Sequence, residues 1–91
     1  MNLYYVNDRE QYHGWLLVAA ESRYRAYAYY RDATGYADLR QTDVTCQRVM
    51  HNVELEAGEP SLSWCATHIE NFSSDNTEWM VLLRERKEMS K

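Results

Sequence analysis

The chain has little of what would staple, coil or anchor it: its 91 residues include one proline, three glycines and two cysteines. The longest apolar runs, Trp15 to Ala20 and Trp79 to Leu83, fall far below the ~18 residues that a membrane-spanning helix needs. Cys46 and Cys65 are too few for a small disulfide scaffold, which carries roughly four to eight, and are read as free thiols. Gly14, Gly35 and Gly58 lie far apart, so there is no glycine-rich phosphate loop, and nucleotide hydrolysis has no support. Lysine occurs only at Lys87 and Lys91, and the net charge is −4 with a pI near 5.3. That balance argues against direct nucleic-acid binding, whose affinity comes from clustered cations, and favours a basic protein surface as partner. The start, Met1-Asn2-Leu3-Tyr4-Tyr5, has no cationic stretch followed by an apolar block, which predicts no secretory signal and a cytoplasmic location.

What is present suits one small globular domain. Apolar residues make up 45% and charged residues 26%, enough to form a core, and a chain this short cannot divide that core, so residues 1–91 are read as a single domain. Charge is placed unevenly. Glu54, Glu56, Glu59, Glu70, Asp75 and Glu78 follow one another with no Lys or Arg between them. The cations before Cys46 are Arg9, Arg23, Arg25, Arg31 and Arg40, so the surface is expected to be polarised.

Along the chain, Leu3 to Val6 reads as a strand, a polar turn follows, and the continuous apolar run Trp15 to Ala20 predicts a strand covered on both faces and central in its sheet. Ser22 is a suitable N-cap and Gly35 a suitable stop for a helix over about 22–34. Ala26, Tyr29, Tyr30 and Ala33 fall on one stripe of that helix, expected to face the sheet. Tyr36 to Arg40 re-enters the fold, Val44 to Leu55 alternates as a third strand, and Glu56 to Pro60 is the clearest loop. Residues 61–72 fit either a helical stripe or a strand and are read as a strand; Trp79 to Arg84 alternates as a last one. The expected fold is α+β, with an antiparallel sheet of four to five strands and one principal helix packed on a face, in the order ββαβ(β)β.

Several groupings could carry chemistry. Cys46, His51, Cys65 and His68 have the donor types of a tetrahedral zinc site, which would make a small zinc-binding regulatory or nucleic-acid-interacting module. The same residues also read as two small buried hydrophobes and two histidines on polar faces. Cys65 and His68 would meet as a nucleophile and base only on a helix, since a spacing of three points to opposite faces of a strand. The carboxylates read as a solvated acidic face rather than a general acid and base, so no enzyme and no cofactor are expected. Tyr24, Tyr27 and Arg31 form a second helical stripe, expected to point outward; these residue types are enriched among the few that dominate binding energy. Trp15, Trp64 and Trp79 are expected to anchor the core.

The layout of Leu3-Tyr4-Tyr5-Val6, then Trp15 to Ser22, a helix carrying Ala26, and Tyr36-Ala37-Asp38-Leu39-Arg40 resembles small ββαβ proteins encoded by bacteriophages and other mobile elements, over about the first half of the chain. Small, acidic, tyrosine-rich proteins of that origin are similar to host-defence inhibitors of the anti-CRISPR type, which block a basic nucleic-acid-binding surface by occupying it. The resemblance implies a non-enzymatic protein-binding inhibitor whose partner is a larger basic protein; exposed strand edges and aromatic surfaces, which invite self-pairing, allow a monomer or a homodimer. Glu54, Glu56, Glu59, Glu70, Asp75 and Glu78 would steer association and Tyr24, Tyr27 and Arg31 would anchor it.

Overall fold

A computed structural model describes residues 1–9, 14–74 and 79–80. The chain divides into two compact units, Met1–Glu59 and Pro60–Lys91. The first holds strands β1 (Asn2–Asp8), β2 (Trp15–Ala20) and β3 (Val44–Met50), helix α1 (Arg23–Thr34) and a 3-10 turn at Gln41–Asp43; the second holds helix α2 (Leu62–His68). The class is α+β. Among the described residues the sheet has three antiparallel strands in the order β2-β1-β3, fewer than the four to five expected.

The described structure departs from the expected one in three places. First, β1 and not β2 is the middle strand. Val18 and Ala20 are buried on one face of β2 and Leu17 and Ala19 on the other, so its apolar run reports burial of both faces rather than a central place in the sheet. Second, β3 ends at Met50, not near Leu55: the register against β1 shifts between Leu3 and Tyr4, and Asn52 takes a left-handed turn with φ 50°. Beyond that turn the chain still runs beside β1, for Val53 N–H donates to the Met1 carbonyl at 2.7 Å. Third, residues 62–68 form helix rather than strand. Ser61 caps them by accepting a hydrogen bond from Trp64 N–H at 3.1 Å, and that local bond decides between two patterns the side chains allowed equally. Cys65 and Ile69, four apart, are the buried pair of this segment, while Leu62 is 65% exposed. Trp79 and Met80 are also helical; the remainder of the expected last strand lies outside the described residues.

α1 begins and ends where capping chemistry places it. The Ser22 hydroxyl accepts from Arg25 N–H at 3.2 Å, and Gly35, at φ 76°, donates its N–H to the Arg31 carbonyl. The buried face is Ala26, Tyr27 and Tyr30, which pack on Tyr4, Val6, Val18, Ala20 and Val44 of the sheet. The stripe is rotated toward Tyr27 relative to the one expected, leaving Tyr29 half-buried and Ala33 exposed. Tyr30 closes the β1–β2 hairpin: its hydroxyl accepts from Asp8 N–H at 3.1 Å and donates to the Gly14 carbonyl at 2.7 Å. Burial raises the pKa of that phenol first of all, so it stays a protonated donor. Among the described residues no helix is long and apolar enough to cross a membrane.

Candidate functional site

The acidic stretch begins on residues 51–60, a strap that leaves β3 and runs to the outer edge of β2. There Ala19 and Gly58 exchange both backbone hydrogen bonds, Ala19 N–H to the Gly58 carbonyl at 2.8 Å and Gly58 N–H to the Ala19 carbonyl at 2.9 Å. Gly58 adopts φ 125°, a backbone that L side chains rarely take, so glycine is required by conformation rather than by space. The nearest ring carbon of Tyr29 would lie 3.6 Å from a side chain placed at 58, an ordinary contact. The strap is fastened at a second point: Tyr29 OH donates to Glu59 Oε2 at 3.1 Å. Burial raises the Tyr29 pKa, and the hydrogen bond and negative charge of Glu59 raise it further.

Glu54, Glu56 and Glu59 are exposed on this strap, and no ion pair among the described residues engages them. The arginines that do form pairs lie elsewhere, Arg31 with Asp32 at 3.7 Å and Arg40 with Asp43 at 3.9 Å. Glu70 is exposed in the second unit. Asp75 and Glu78 lie outside the described residues.

Beside the strap is a groove of about 370 Å³ within the first unit. Its floor is Val18, Ala19, Ala20 and Ala57, Tyr29 forms a wall, and Glu21 and Arg25 bring opposite charges to it. Neither charged side chain makes a hydrogen bond or ion pair among the described residues. Sequence reasoning missed this groove. Its one local signal is a glycine inside the loop Glu56 to Pro60, which marks close backbone approach as readily as a simple turn.

Of the predicted outward stripe, Tyr24 is exposed and Arg31 half-buried, but Tyr27 is not on the surface. Tyr27 is only 6% exposed and its hydroxyl donates to the Leu39 carbonyl, so it belongs to the core edge. Arg31 lies over the Tyr27 ring at 5.5 Å, and Tyr24, 56% exposed, leans on the same ring with centroids 6.0 Å apart. The expectation failed because three residues spaced i, i+3 and i+7 define a stripe without saying which side of the helix the sheet takes.

Cys46 and His51 belong to the first unit and Cys65 and His68 to the second, and among the described residues no three metal-ligating side chains form a group that could hold an ion. Burial pushes the Cys46 thiol up to about 11, partly opposed by the charge of Arg23, and burial also raises the Cys65 thiol. Neither is a thiolate at neutral pH. Cys65 and His68 do share a helix, the condition under which they could meet, but the His68 ring is engaged with Trp64. It stacks on the indole with centroids 4.3 Å apart, and its Nδ1 lies 2.9 Å from the Trp64 carbonyl oxygen.

Comparison with family models, with curated proteins and with solved structures finds no significant match.

Proposed function

We propose that this protein is a small acidic, non-enzymatic inhibitor that docks on the basic, nucleic-acid-binding surface of a larger protein, in the manner of phage-encoded anti-CRISPR and similar host-defence inhibitors. One observation carries the reading: Glu54, Glu56 and Glu59 stand exposed and, among the described residues, without ion pairs on a strap fastened to the sheet by the Ala19–Gly58 exchange and the Tyr29–Glu59 bond. Fixed, unneutralised charge of one sign attracts the opposite sign from a distance and suppresses wrong partners. A strap held at two points also presents its carboxylates with less ordering cost on binding than a loose loop would. Tyr27 has no part in this contact, because it is buried.

The test is affinity capture from a bacterial lysate by the wild type and by a variant carrying Glu54→Gln, Glu56→Gln and Glu59→Gln, with the captured protein then purified. Exposed ion pairs contribute roughly 0.2–1 kcal/mol each, so the triple variant is expected to bind that protein about 3-fold to 160-fold more weakly. Raising salt should weaken the wild type more than the variant, and the target's own nucleic acid should compete. A target held equally by both forms, insensitive to salt and undisturbed by its nucleic acid, refutes the reading.

A further inference from the structure

The groove beside the strap has features that open carboxylates alone do not. It is concave, about 370 Å³, within the range of ligand sites, and its floor is apolar. An aromatic wall stands beside that floor. The chain segment that forms one side, Ala57 and Gly58, is flanked by Glu56 and Glu59, and Glu21 enters from the other side at the end of β2. Glu21 therefore lines a short apolar trough and Glu59 is bonded to its Tyr29 wall, set against Arg25 and Met1, which also line it.

An aliphatic stem and a flat cation are what such a trough accommodates. Packing methylene groups on Ala57 and the Tyr29 ring removes apolar surface from water, while the charged end stays at the polar rim. Guanidinium is weakly hydrated, stacks on aromatic faces and offers a planar fork of donors to carboxylates; ammonium is a strongly hydrated point charge that does none of these as well. Tyr29 supplies the ring, and its hydroxyl is already committed to Glu59, which holds that ring in place.

We infer that the groove lined by Ala20, Ala57, Gly58 and Tyr29 receives an arginine side chain of the basic partner, with Glu21 and Glu59 as its counter-charges. The inference rests on the docking reading above and identifies where on the strap a partner residue inserts. Arg25 then acts as a brake: its positive charge in the same trough weakens the contact and sets how tightly the arginine is held.

Amide shifts recorded on the full chain during titration with the peptide acetyl-Gly-Arg-Gly-amide test this, alongside matched peptides in which citrulline or glutamate replaces arginine. Millimolar binding of the arginine peptide should move the amides of Ala19, Ala20, Arg25, Tyr29 and Gly58. The neutral citrulline peptide, of nearly the same shape, should bind clearly more weakly, and the glutamate peptide should leave these amides unmoved. The two groove charges give opposite signs: Glu21→Gln should weaken the arginine peptide by about 2-fold to 5-fold and Arg25→Gln should tighten it by a similar factor. Equal binding of citrulline, preference for glutamate, reversed signs in the two variants, or no localised shift overturns the inference. If the peptide fails while the triple glutamate variant still loses its captured partner, the groove site falls and acidic docking stands. If the peptide binds while that variant keeps its partner, the arginine site stands and the docking reading falls.

Discussion

Replacing Tyr30 with phenylalanine removes one oxygen from a fully buried ring and leaves the shape of the core unchanged. That oxygen accepts from Asp8 N–H at 3.1 Å and donates to the Gly14 carbonyl at 2.7 Å, tying the last residue of β1 to the residue before β2. A typical internal hydrogen bond contributes about 0.5–1.5 kcal/mol net, and removing a partner of a buried group costs about 1–3 kcal/mol. Asp8 is buried, so its bond falls in the higher range; Gly14 is exposed, and water can replace the other. The sum is a loss of about 2–3 kcal/mol, which at about 4–8 °C per kcal/mol lowers the Tm by roughly 8–24 °C. Tyr24→Phe is the matched control: its ring is more than half exposed, and the expected change is within about 0.5 kcal/mol. Urea and thermal denaturation followed by circular dichroism measure both, and amide exchange at Asp8 should accelerate in Tyr30→Phe alone. If Tyr30→Phe unfolds within about 0.5 kcal/mol of the wild type, the phenol does not hold the hairpin and the account of α1 packing is wrong.

Two further outcomes follow from the same chain. Gly58→Ala forces a side chain into a φ of 125° and should cost about 1–3 kcal/mol while accelerating amide exchange at Ala19; unchanged protection of Ala19 would show that the Ala19–Gly58 exchange does not fasten the strap. The Cys46 thiol has a folded pKa of about 11 against an ordinary 9.0, so its contribution to stability is fully present below pH 9 and is lost as pH rises through 11. Denaturation at pH 8 and pH 11 should therefore show a smaller alkaline loss in Cys46→Ala than in the wild type, and an identical loss in both would contradict that sign.

The elements legible in the sequence are those fixed by local chemistry. Ser22 and Gly35 bracket α1 because each satisfies backbone groups that the helix leaves open, and both lie within a few residues of the groups they serve. β1 and β2 were legible for the same reason: apolar content with a polar turn between is a local signal. Residues 61–72 were not. Leu62, Cys65, Ala66, Ile69 and Phe72 suit either period, and the deciding group was the Ser61 hydroxyl, a single acceptor outside the pattern. The end of β3 was missed because alternation through Val49, His51, Val53 and Leu55 continues past the turn at Asn52, where pairing with β1 has stopped. Of the candidate site, the exposure of Glu54, Glu56 and Glu59 follows from charge alone. The groove could not be read, since it exists only once Gly58 returns to Ala19, 39 positions earlier in the chain.

That return also decides how the predicted surface divides. α1 advances about 100° per residue, so Tyr29 and Tyr24 stand about 140° apart around its axis. Tyr29 faces the strap and Glu59, while Tyr24 and Arg31 gather on Tyr27 near Leu39. Charge and exposed phenol, which the sequence suggested as one interface, therefore lie on opposite flanks of the helix. A partner that approaches along the carboxylates meets Arg25, Tyr29 and the apolar trough, and reaches Tyr24 only by wrapping around α1. If a basic partner docks as proposed, long-range attraction from the strap would bring it in, but exposed ion pairs add little once contact is made. On the proposed docking the close-range energy comes from what lies within the trough, so a side chain inserted beside Tyr29 would govern how long such a complex lasts, and the carboxylates how fast it forms.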